Sequence, residues 1–108
     1  MTHTNTNKDM IDPSRIGDMA EHYAITFLWD QGYQVFRNCG CTGPIDIVAV
    51  SPEGTVKLID VKSYKGTNLT ARSSIQKKMG VVYLRYNPEN RKLKFVNHRD
   101  EVKQLELF

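Results

Sequence analysis

Two aspartates stand inside runs of residues that would otherwise read as buried strand. They lie in Gly43-Pro44-Ile45-Asp46 and Ile59-Asp60-Val61-Lys62, and their neighbours include Ile47, Val48 and Leu58. A carboxylate buried without a partner costs several kcal/mol or more, so buried charges pair or bind metal. Side chains two apart on a strand share a face, so Asp60 and Lys62 project together while Val61 points into the core. If the strand register sets Asp46 beside Asp60, two carboxylates and one ammonium meet at one spot. Adjacent carboxylates repel, and a hard divalent cation relieves the repulsion.

Glu21 adds a third carboxylate. On a helical wheel it lies about 20° from Leu28, at the edge of an apolar stripe, so it can look toward a sheet. Glu21, Asp46 and Asp60 would then form an oxygen-rich site for Mg2+ (or Mn2+). Lys62 would stabilise charge developing on a phosphate or orient the attacking water. Each residue alone has a plainer explanation. Asp60 and Lys62 read equally as an ion pair, Asp46 as a turn aspartate after proline, and Glu21 as part of a solvated helix face. Their joint occurrence on suitable elements is the more specific signal.

Those elements follow from periodicity. Asp12-Pro13 is a helix start, with Asp12 as cap and proline at the first helical position. Apolar residues at Ile16, Met19, Ala20, Tyr23, Ala24, Phe27 and Leu28 repeat as in an amphipathic helix, and Gly32 ends it. Strands are expected at 33–37, 45–50 and 55–62, the last two joined by the Ser51-Pro52-Glu53-Gly54 turn. A short helix over 72–79 ends at Gly80. Strands over 81–86 and 93–97 flank the Asn87-Pro88-Glu89-Asn90 turn. The order predicts an α+β fold: a mixed sheet of about five strands with helices packed against it.

The chain has 108 residues, enough for a single domain with a modest core. Residues 12–99 form that domain, with 1–11 as a disordered lead and 100–108 as a tail. No stretch approaches the ~20 apolar residues of a membrane span, and the polar start does not resemble a signal peptide. The expected location is the cytoplasm of a bacterium, an archaeon or a phage-infected cell. Cys39 and Cys41 are too close for an ordinary disulfide and too few for a zinc site, so they are expected to fit a tight turn. The net charge of +3 is unevenly spread. Between Lys62 and Lys94 nine cations face a single acid, Glu89, which suits a phosphate-binding surface as well as a solvated one.

Helix glutamate, Pro44-Ile45-Asp46 and Asp60-Val61-Lys62 together resemble the PD-(D/E)XK nuclease superfamily, with one residue inserted between proline and aspartate. The Arg15-to-Glu21 helix start, the Gly40-Cys41-Thr42-Gly43-Pro44 turn, Asp60-Val61-Lys62-Ser63 and Gln76 on a basic helix look like the archaeal Holliday junction resolvase branch. The resemblance implies a restriction-endonuclease-like α-β-β-β-α-β core and metal-dependent hydrolysis of DNA. It makes Glu21, Asp46, Asp60 and the Val61 carbonyl metal ligands and Lys62 the catalytic lysine. Ser63 and Gln76 would assist, and Arg15, Lys65, Arg72, Lys77 and Lys78 would contact the DNA backbone. A twofold dimer would cut both sides of a four-way junction.

The tail Gln104-Leu105-Glu106-Leu107-Phe108 looks like a bacterial sliding-clamp-binding pentapeptide, with Gln104, Leu105, Leu107 and Phe108 as its contacts. A terminal helix buried in the fold is the alternative. Three functions are therefore in play. They are a Holliday junction resolvase, another nuclease acting on flaps, nicks or duplex in repair, replication or restriction, and a catalytically inert DNA-binding module.

Overall fold

A computed structural model describes residues 12–63 and 69–98. The lead before Asp12, Lys65 and the tail with its clamp-like residues lie outside them. Helix α1 spans Pro13–Asp30, and the Asp12 carboxylate accepts the Arg15 N–H at 2.8 Å. This side-chain cap satisfies one of the four N–H groups that every helix start leaves open. The helix ends before Gly32, whose φ of +92° is accessible to glycine at little cost. A Cβ there would also approach the Pro52 ring at 3.2 Å.

Five strands follow in space as in sequence, β1 to β5. They are β1 (Gln34–Arg37), β2 (Ile47–Val50), β3 (Val56–Ser63), β4 (Val82–Asn87) and β5 (Lys92–Phe95). Helix α2 (Ser74–Met79) lies between β3 and β4, which pair in parallel; all other neighbours are antiparallel. The parallel pair needs a crossover, and α2 provides it. Ser73 and Gln76 form a reciprocal capping box at its start, and left-handed Gly80 closes its end.

The mixed five-stranded sheet with helices is the fold the pattern implied. Differences fall at element ends. Strand β2 begins at Ile47 rather than Ile45, because the chain bends at Asp46. Helix α2 begins at Ser74 rather than Arg72, and Cys39–Cys41 forms a turn of 3-10 helix.

Helix α1 packs across one sheet face. Ala24 and Leu28 meet Ile47, Ala49, Ile59 and Leu84, all fully buried. Val35, Val61, Val82, Leu93 and Phe95 border this core. By strand alternation, Asp60, Lys62 and Tyr83 therefore face away from α1. Among the described residues, no helix is long and apolar enough to cross a membrane. Removing the Leu28 side chain should leave a cavity between helix and sheet. Leu28→Ala is expected to cost about 3 kcal/mol, read as a lower urea midpoint with an unchanged slope.

Candidate active site

The site begins with an irregularity in the β2–β3 pairing. The ladder pairs Ile47 with Ile59, so Asp46 falls opposite Asp60 as the hairpin requires. The Asp46 N–H nevertheless reaches the Ile59 carbonyl at 2.8 Å, one residue out of step, as in a β-bulge. The Ile45 carbonyl accepts instead from Asn38 Nδ2 at 2.7 Å. The Val61 N–H then donates to Asp46 Oδ2 at 2.8 Å. A carboxylate has taken a position the main chain would ordinarily fill. The bulge thus turns Asp46 toward the strand that carries Asp60, near enough for the second carboxyl to raise the pKa of the first.

Asp60 is held from two further directions. Lys62 Nζ lies 3.5 Å from Asp60 Oδ2 and 5.4 Å from the centre of the Tyr83 ring. Gln76, buried on α2, donates from Nε2 to Asp60 Oδ2 at 2.6 Å and to the Pro44 carbonyl at 3.1 Å. Gln76 Oε1 accepts the Ser73 N–H at 3.0 Å and the Tyr83 hydroxyl at 3.4 Å. The amide's donors and acceptor are thereby all engaged, so its burial is compensated. Burial pushes the Tyr83 hydroxyl above its ordinary pKa, which keeps it protonated to donate.

Glu21 occupies a different position. It extends from α1, and its carboxylate pairs with Arg37 Nε at 2.7 Å. Arg37 also lies 3.7 Å from Asp18. Alternation along β1 puts Arg37 on the α1 side of the sheet. The structure therefore joins Asp46, Asp60, Lys62 and Gln76 at one centre, with Glu21 on the helix side of the bulge. Glu21 still acts on Asp46 through its charge. Among the described residues, no three His, Cys, Asp or Glu side chains gather as a ready metal cage.

Partial burial and the proximity of Asp60 push the Asp46 carboxyl up to about 7, with the Glu21 charge adding to the rise. The Val61 N–H opposes this by stabilising the charged form. Two oxygen-donor groups held against their own repulsion suit a hard divalent cation, and this donor set fits one.

The remaining residues divide. Val61 lies between Asp60 and Lys62 on β3, beside the carboxylate pair. Ser63 alternates to the opposite side of β3 from Asp60 and Lys62. Arg15 and Lys78 are exposed and Lys77 is half-buried. Arg72, expected on a DNA-facing surface, is instead buried and donates to the Val81 carbonyl at 3.0 Å. Its guanidinium ties the approach to α2 to the start of β4, so it serves the fold. Sequence reasoning missed Arg37, Asn38 and Tyr83. Arg37 meets Glu21 on another element, whereas Asn38 reaches carbonyls four and seven residues on and Tyr83 reaches Gln76 seven residues back; only the strand positions of Arg37 and Tyr83 gave a signal.

Residues 16–106 match the profile of the nuclease-related domain. A similar fold occurs in a solved structure of a bacterial homing endonuclease, I-Ssp6803I. The TM-score is 0.64 at 19% identity, over 80% of this chain and 69% of that one. No curated protein sequence gives a significant match. Neither finding is to a resolvase, so the particular likeness to the archaeal branch gains nothing from them.

The raised Asp46 carboxyl has a consequence for stability. Its folded pKa of about 7 exceeds the unfolded 3.8, so between these values the folded chain holds the extra proton. The penalty for charging it is full above pH 7, shrinks as pH falls through that value and is gone below pH 3.8. Without divalent metal, Asp46→Asn should therefore melt above the wild type at pH 8, and the gap should close on acidification. Thermal melts in chelator across this range check it; a gap that widens in acid would be the contrary result.

Proposed function

The chain belongs to the nuclease-related domain family, and from that premise we propose that it is a metal-dependent, structure-selective DNA endonuclease. The observation that carries this reading is the Asp46–Asp60 pair with Lys62 beside it, on the sheet face turned away from α1. Asp46, Asp60 and the Val61 carbonyl would hold a Mg2+ or Mn2+ ion, with Glu21 as a further ligand if it leaves Arg37. Such an ion supplies Lewis-acid activation of a water and neutralisation of charge on the phosphate.

The chain's own groups do the rest. Lys62 places a positive charge where the phosphate gains negative charge, and its ammonium can orient the water. Gln76 fixes the direction of the Asp60 carboxylate from α2. Val61 N–H does the same for Asp46. Arg15, Lys77 and Lys78 supply sequence-independent contacts to the DNA backbone. Ser63 would reach phosphate only from the end of β3.

A four-way junction is the first substrate to test, because the motif flanks resemble junction resolvases and a twofold dimer would present two such sites. Labelled junctions, flaps, nicked and linear duplexes should be compared with Mg2+, Mn2+ and chelator. Junction cleavage is expected to exceed duplex cleavage and to stop in chelator. Asp60→Asn or Lys62→Ala should each lower the rate by about 10²–10³-fold while DNA is still bound. The rate should fall as pH drops below about 7, when Asp46 takes up a proton and metal affinity weakens. Full activity in chelator, or in both variants, would end the reading.

A further inference from the structure

The register arranges the sheet face opposite α1 into three rows. Phe36, Val48 and Leu58 pair across β1, β2 and β3. Asp60 pairs with Tyr83, and Asp46 lies on the far side of Asp60. Lys62, Arg85 and Lys94 pair across β3, β4 and β5. The carboxylates thus lie between an apolar row and a cationic row. Two residues along a strand advance about 6.8 Å, so the three rows lie at the scale of successive nucleotides.

A cavity of about 300 Å³ opens at the apolar row. Phe36, Ile45 and Val48 line it, with Asp46 and Arg37 at its wall. Phe36 is 54% exposed, an unusual state for a phenylalanine on a strand. Asp46 belongs both to this cavity and to the carboxylate pair, so a ligand here would touch the reaction centre. The cationic row beyond argues for a polyanion, since an apolar partner would gain nothing from it.

We propose that this cavity receives a nucleobase adjacent to the scissile phosphodiester, stacked on Phe36, and that the enzyme therefore cuts where that nucleotide is unpaired. The inference rests on the nuclease reading above and names its substrate class. An aromatic face accepts any base without reading its sequence. A base must leave its stack to enter, and an unpaired one leaves at the least cost. Flaps and frayed ends supply such bases, and a branch point lowers the cost of freeing one; closed duplex does neither.

The test maps the cut and then compares substrates with and without a base at the flanking nucleotide. Wild type, Phe36→Ala and Phe36→Trp are each assayed for kcat and KM. Binding is followed with 2-aminopurine at that nucleotide on Asp60→Asn protein. Loss of the base, or of the Phe36 ring, should each raise KM by about tenfold. Together they should cost no more than either alone, and Phe36→Trp should restore the difference. The bound 2-aminopurine should report stacking that Phe36→Ala abolishes. Losses that multiply, or a Phe36→Ala defect equal on both substrates, overturn the proposal in favour of a structural role. A Phe36→Ala protein that changes only its sedimenting mass overturns it in favour of contact between copies of this chain. Cleavage indifferent to the base overturns this inference alone. Absence of DNA binding and cleavage overturns the nuclease reading with it.

Discussion

The contact between Asp46 and Asp60 is the constraint on which the rest of the structure depends. Two carboxyls from neighbouring strands do not meet without cost, because both cannot ionise freely at short range. The protein meets that cost with backbone. The β2–β3 ladder slips by one residue at Asp46, which frees the Val61 N–H for the carboxylate. The Ile45 carbonyl, displaced by the same slip, is satisfied by Asn38 Nδ2, which also donates to the Thr42 carbonyl at 2.5 Å. One irregularity therefore positions an acid, satisfies an N–H and anchors the turn before β2. In a regular ladder Asp46 would pair across the strands with its carboxylate directed by the pleat alone.

Gln76 extends this arrangement to the second half of the chain. Its amide spans the Pro44 carbonyl, Asp60 and the hydroxyl of Tyr83, and it also closes the capping box of α2. A six-residue helix has little intrinsic stability, so the cap and the buried amide help to decide where it sits. The same side chain that starts α2 thus aims Asp60. The β3–α2–β4 crossover therefore carries the side chain that fixes Asp60.

Periodicity made much of this legible. The α1 stripe, the punctuating glycines and prolines, and the two apolar runs interrupted by aspartate placed every described strand and α-helix within about two residues, though not the 3-10 turn at Cys39–Cys41. Alternation correctly joined Asp60 to Lys62 and sent Val61 to the core. The bulge at Asp46 was not legible, because nothing in Pro44-Ile45-Asp46 separates a strand residue from one just outside the strand. Arg72 misled for a related reason. Charge counts assign a long cation to the surface, whereas this one finds the Val81 carbonyl inside. Gln76 was legible as a candidate, but its burial was not; a polar residue on a short helix reads as solvated until its partners are known.

Glu21 shows how far pattern alone can carry a site. The wheel directed it toward the sheet, and it does face the sheet, but toward Arg37 rather than toward the pair of aspartates. That placement has an electrostatic logic. Asp46 already carries a raised pKa from burial and from Asp60, and the Glu21 charge raises it further. A third carboxylate brought into contact, with no cation to offset it, would add to a repulsion that the Val61 N–H already serves to offset. Arg37 supplies the missing positive charge to Glu21 and holds it one step from the centre. Because Glu21 and Arg37 lie on the α1 side while Asp60 lies on the other, the bulge at Asp46 is the passage between them. The acid that breaks the strand pattern is thus also the one through which the two faces of the sheet are electrostatically joined.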